Sequence, residues 1–242
     1  QYNNCKNTRS NSTRNILSVF SMALFLGIFR DSINTIFLPF LSEMYAKKEH
    51  ENISYIFRKS TTWILTLTFP FFLVMLFYSK EILKLVYGSE YATGSVPLVI
   101  ITVGIMINIM LGLSKNIIIL HKNTKFVFKN NLFIVIYNIL MNILLIPIFG
   151  ILGAALASST SFIIENTVTF FKARKYEKIS LDYIYFMKFI FAGIISIYIS
   201  TFIFKLFNSN IILEIIFTGT VYVITYLALL IIMKTFRKDD FQ

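Results

Sequence analysis

A chain of 242 residues in which 56% are hydrophobic and only 14% charged holds more apolar surface than a water-soluble domain of this size can hide. Its net charge of +11 would suit a nucleic-acid ligand in a soluble protein, but the basic residues stand in short clusters between long apolar runs. They read as topology signals at a membrane surface, with membrane lipids rather than nucleic acid as the surroundings.

The chain opens at Gln1 with a polar segment, residues 1–14, that lacks the charged-then-apolar layout of a secretory signal; we read this start as truncated or processed, and residues 15–242 as the membrane domain. A helix needs about 20 mostly apolar residues to cross a bilayer, rising about 1.5 Å per residue through a core about 30 Å thick. That ruler predicts a first span at 15–42, interrupted in polarity by Arg30 and Asp31. A second follows at 61–78 and a third at 93–120, with Lys115 near its end. From Asn130 to Ile164 no residue is charged. A single helix there would run about 50 Å, too long for one crossing. Pro147 removes a backbone donor and Gly150 permits a tight reversal, which divides the stretch into spans at 130–146 and 150–171. The sixth and seventh spans are 184–204 and 215–233. The expected fold class is all-α: a polytopic membrane helix bundle of about seven transmembrane helices. No internal repeat is visible.

Basic content alternates between the connections. Lys47, Lys48, Arg58 and Lys59 follow the first span, Lys122, Lys125 and Lys129 the third, Lys172, Arg174, Lys175 and Lys178 the fifth, and Lys234, Arg237 and Lys238 close the chain. The other side holds Lys80, Lys84 and Lys205. By the positive-inside rule the richer side is cytoplasmic, so the chain enters from outside and its C-terminus is inside; the cytoplasmic membrane is the expected location. The N-terminal segment, outside despite Lys6, Arg9 and Arg14, is the exception.

Catalytic chemistry is not written here. Phosphate-loop, H-E-x-x-H and G-x-S-x-G patterns are absent, and Cys5 is a single cysteine, so no cofactor or cysteine-built metal site is implied and an enzyme is not expected. His50 and His121 stand in charged loops and read as solvated. The informative residues are polar groups inside spans, which are costly in lipid. Arg30 and Asp31 lie too deep to snorkel easily, and Ala23, Gly27, Arg30 and Asn34 recur at helical spacing as one small and polar stripe. Such a stripe faces protein or water. Arg30 then either pairs with Asp31 or another acid as a helix lock, or acts as a cavity cation for anionic cargo with Asn34 and Lys115. Asp31 and Glu165 are the candidates for a coupling proton; Glu165 and Lys115 equally fit interfacial positions. Asn108, Asn138 and Asn142 suit interhelical hydrogen bonds.

Several motifs together resemble a known family. Residues 146–158, from Ile146-Pro147 through Phe149-Gly150-Ile151 to Gly153-Ala154-Ala155-Leu156-Ala157, are similar to the turn and helix start of Wzx-type polysaccharide flippases. Leu38-Pro39-Phe40-Leu41-Ser42 before a charged loop, Tyr87-Gly88 with Tyr91, and Leu120-His121-Lys122-Asn123-Thr124-Lys125 resemble other stations of that pattern in the expected order. The resemblance covers roughly residues 16–233. It implies the C-terminal lobe of a fourteen-helix exporter of the multidrug, oligosaccharidyl-lipid and polysaccharide superfamily, partnered by a missing N-terminal half. The implied activity is flipping of a lipid-linked oligosaccharide on a polyprenyl diphosphate by alternating access. A cation-coupled multidrug exporter of the same superfamily, and a scaffold or enzyme of envelope assembly, are the alternatives.

Overall fold

The computed structural model describes residues 17–204 and 211–233, without the side chains of 204 and 211–218. The polar segment 1–14, Lys205 and the closing basic cluster lie outside the described residues. Among those described, secondary structure is entirely helical.

The first predicted span is a bent pair: α1, Leu17–Leu24, meets α2, Gly27–Ala46, at an angle of 40°. At the bend the backbone tightens to three-residue bonds, Leu26 N–H to the Ala23 carbonyl and Ile28 N–H to that of Phe25, each 3.2 Å. Helix α3, His50–Phe77, begins well before the predicted residue 61. Ile53, Phe57, Thr61 and Ile64 explain why, since together they carry one buried stripe down into the charged segment. The next connection is helical too, as α4, Ser79–Tyr87, and a 3-10 turn, Ser89–Gly94, with Gly88 at φ +106° between them.

The third predicted span is also discontinuous. Helix α5, Ser95–Leu111, and α6, Ser114–Leu120, join through Gly112 and Leu113, where Asn116 N–H reaches only to Leu113, at 3.2 Å. Helix α7, Thr124–Phe149, starts on an Asn123 side chain that accepts from Phe126 N–H at 3.3 Å. Pro147 lies inside the last turn of α7 and does not break it. The reversal belongs to Gly150, at φ +57° and ψ −128°, which leads into α8, Ile151–Ala173. Helices α9, Tyr183–Phe204, and α10, Ile211–Ile232, complete the chain. Five described helices are long and apolar enough to cross a membrane, and six if α1 and α2 form one broken span. In α10 the stretch measured by the same test is Gly219–Ile232.

Two apolar clusters organise the packing. The larger joins α1, α2, α3, α5, α6 and α8 around Leu26, Phe57, Ile101, Ile109 and Ile117. Its tightest seam is α5 on α8, where a Cβ added to Gly104 would lie 2.6 Å from the Ser159 Cα. The second cluster seats α9 and α10 on α3 through Phe69, Phe189 and Tyr226. Helix α7 packs chiefly on α8 and leaves Leu132, Phe133, Ile136, Leu140 and Ile143 exposed. A surface so continuously apolar matches hydrocarbon rather than water.

Candidate functional site

The polar stripe of α2 faces protein. Ala23 is fully buried, and Gly27, Arg30 and Asn34 are half-buried along the same side. Opposite them stand Asn108, Gly112 and Asn116, again spaced by four, on either side of the α5–α6 joint. The Arg30 Nη1 donates to Asn108 Oδ1. Asn116 Nδ2 donates to Asn34 Oδ1 at 2.5 Å. Between these two contacts the missing side chain of Gly112 leaves room for the Arg30 stem, whose Cδ would lie 3.5 Å from an added Cβ.

Arg30 also donates from Nε and Nη2 to Asp31 Oδ1, at 2.9 and 2.8 Å. A guanidinium has five N–H groups. The Asn108 and Asp31 contacts use three of them, and the side chain keeps 29% of its surface open. Asp31 is 65% exposed, so the pair lies on the open side of the helix.

One turn beyond Gly112 the seam passes to α8. Lys115 Nζ donates to Glu165 Oε1 at 2.8 Å, joining residues fifty apart in sequence, with the lysine 33% and the glutamate 19% exposed. The Glu165 carbonyl accepts from Thr169 Oγ1 at 2.6 Å, and Asn130 of α7 donates to that same hydroxyl at 3.3 Å. Farther along, Asn138 donates to Ser161 Oγ at 3.0 Å, and Asn142 reaches back to Asn138. Amides and hydroxyls thus bond α7 to α8 at Asn130 and Asn138.

Of the five singled-out residues, four form two acid–base pairs, Arg30–Asp31 and Lys115–Glu165, and the fifth, Asn34, accepts from Asn116. Each cation of the seam thus has a carboxylate partner and keeps part of its side chain exposed. Among the described residues no group of three or more His, Asp or Glu side chains is arranged to hold a metal ion.

The family model described as lipid II flippase MurJ matches residues 15–231. The chain belongs to that family. It lies within the same exporter superfamily to which the turn and loop motifs point. The chain is 28% identical over 144 residues to the probable low-salt glycan biosynthesis flippase Agl15 of Haloferax volcanii, covering 58% of this chain and 30% of that one. It is 28% identical over 153 residues to the capsular polysaccharide biosynthesis protein CapF of Staphylococcus aureus, covering 62% and 38%. A solved structure of lipid II flippase MurJ in an inward closed conformation superposes with a TM-score of 0.75 at 20% identity, covering 93% of this chain and 47% of that one. That likeness is one of fold. The chain thus spans less than half the length of these relatives. Membership in a flippase family together with several apolar spanning-length helices makes this a multi-pass membrane protein.

One reading of the sequence is corrected. His50 and His121 are not simply solvated loop residues. His50 keeps 58% of its side chain exposed, but both rings meet Glu177, which is 3% exposed, and His121 is 17% exposed beneath two tyrosines. Three connections far apart in sequence converge there, which no local pattern discloses. The available signal was an aromatic residue near each connection: Tyr45, His121 and Tyr176.

Proposed function

We propose that this chain forms one lobe of a flippase that moves a polyprenyl-diphosphate-linked oligosaccharide across the cytoplasmic membrane by alternating access. The half-open Arg30 guanidinium carries this reading, because an always-charged group within an apolar span needs a partner, water or an anionic ligand. Asp31 and Asn108 supply part of that need, and the diphosphate supplies the rest. Asn34 and Lys115 extend the surface along the cargo, while Asp31 and Glu165 act as counter-ions whose protonation frees the cations. An exposed acid–base pair on the open side of α2 needs water or protein opposite it, so a second lobe faces α2 across the transport path. Family membership and the names of Agl15 and CapF support a glycan-lipid cargo over a drug, and nothing in the geometry favours an enzyme or scaffold.

The test is export in a flippase-deficient cell, with the chain supplied alongside a matching first lobe. Arg30→Ala should abolish export at near-normal membrane abundance, and Arg30→Lys should retain part of it. Normal export by well-expressed Arg30→Ala overturns the cargo role. Recovery of abundance only in the double Arg30→Ala, Asp31→Ala variant assigns the pair to structure instead.

The clustered basic residues support a cytoplasmic position for the end carrying Lys122 and Lys125. A cysteine at Lys125, with Cys5 removed, should be protected from an impermeant thiol reagent in intact cells. Labelling there reverses the orientation.

A further inference from the structure

The knot around Glu177 lies at the basic end, away from the Arg30 seam, and its geometry counts protons. Glu177 Oε1 sits 2.9 Å from His50 Nδ1 and 3.2 Å from His121 Nε2. The other ring nitrogen of His121, Nδ1, sits 3.0 Å from the Ile117 carbonyl, which can only accept. An ionised Glu177 at that ion-pair distance matches a His121 ring carrying hydrogen on both nitrogens; His50 needs only the neutral Nδ1–H form. If the proton moves to Glu177, the carboxyl donates to His121 Nε2 and the total is unchanged. Either way the trio holds one proton more than two neutral imidazoles and a carboxylate. Removing it leaves a lone pair facing an acceptor oxygen, and a carboxylate 3% exposed with no charged partner in contact.

Among the described residues, no neighbouring group offers a substitute cation in contact with the carboxylate. From α2, Tyr45 meets the His121 ring edge-on with centroids 4.9 Å apart. Tyr176, beside Glu177, stacks on the other side at 4.7 Å, and its hydroxyl accepts from Asn123 at 2.6 Å. From α8, Lys172 lies over the rings of Phe126 and Tyr176, 5.2 and 5.5 Å from their centroids. From the α2–α3 connection, Glu43 is engaged by Lys47 at 2.6 Å and Glu49 by Asn52 at 2.7 Å. Lys122, Arg174, Lys175, Lys178 and Asp182 are the remaining charges on the two connections beside the knot.

The backbone of two of these connections is held in one form. Helices α2 and α6 both end on a lysine in the left-handed region, Lys48 at φ +60° and Lys122 at φ +56°. Each end is closed by the same bond pair: Glu49 N–H to Met44 and Lys48 N–H to Tyr45 in one, Asn123 N–H to Ile118 and Lys122 N–H to Ile119 in the other. A side chain in that region is strained and persists only where its surroundings hold it.

We propose that His50, His121 and Glu177 form a proton-operated latch that ties the α2–α3, α6–α7 and α8–α9 connections together, closed when the trio holds its extra proton and loosened when His121 loses it. The latch is independent of what the protein carries.

The chain has two histidines, so the ring-nitrogen NMR signals of histidine-labelled protein in lipid nanodiscs are assigned with a single His50→Gln variant. At about pH 6, His121 should show either two protonated ring nitrogens or a short, strong bond from Nε2 to the Glu177 carboxyl. A neutral His121 with no shared proton overturns the latch. Amide hydrogen exchange in residues 43–52, 119–126 and 174–182 should accelerate roughly tenfold between about pH 6 and pH 8 beyond its intrinsic pH dependence. Glu177→Gln should flatten that response and His50→Gln should keep it. Equal protection at both pH values in the unmodified chain, or an unchanged response in Glu177→Gln, overturns the proposal. If Glu177→Gln does not fold, His121→Asn serves in its place, with the same two outcomes.

Discussion

Two regions of this bundle handle charge in opposite ways. Along the Arg30–Lys115 seam, each cation has a carboxylate at 2.8 Å and still exposes about a third of its side chain. At the basic end, Glu177 is almost wholly buried and held by two imidazoles. A charge left half open within an apolar span stays available to a ligand, whereas a charge sealed under aromatic rings is committed to joining backbone segments. The difference separates a region suited to exchange partners from one suited to hold them, although both are built from acid–base contacts of similar length.

That contrast rests on α5 and α8 keeping their spacing, so the largest effect is expected from Gly104→Val. Its side chain would enter the space of the Ser159 backbone, 2.6 Å from where a Cβ would stand. A loss of about 3 kcal/mol or more in unfolding free energy should follow, with disruption of the Lys115–Glu165 contact. Near-normal stability would show that the two helices can separate without cost. Next comes the direct comparison of carboxylates. Glu177→Ala removes a carboxylate 3% exposed that both histidines contact and should cost about 3 kcal/mol. Asp31→Ala, at a position 65% exposed, should cost less than about 1 kcal/mol. Equal losses in unfolding measurements on the two variants would erase the distinction between the regions.

The helices of the second half were legible because long uncharged runs bounded by charge translate directly into length. The run 150–171 overlaps Ile151–Ala173 from its second residue on, and 184–204 lies within Tyr183–Phe204. Hydropathy measures average apolarity and is blind to hydrogen-bond continuity, so the bends at Phe25–Leu26 and Gly112–Leu113 left no signal in it. It also misses helices that carry charge on one face, as in the first turns of α3 and in α4. In the seam, the α2 stripe was readable from spacing alone because all its members share one helix. Its partners were not: Asn108, Asn116 and Glu165 are chosen by how helices cross. The Glu177 knot was hidden for the same reason, since its three members come from three connections.

The α7–α8 turn bears on how the protein enters a bilayer. No charged side chain occurs between Asn130 and Ile164, and Gly150 reverses the chain without a polar cap. The pair can therefore pass into the hydrocarbon as one hairpin, its tip crossing without dragging an ion through. The Asn138–Ser161 bond forms within that hairpin, so the amide need not wait for another helix to satisfy it. Membrane insertion of residues 130–164 then costs only what their amides, hydroxyls and the Gly150 turn require, with no ion to transfer. It is also independent of the membrane potential, which acts on charges and finds none there.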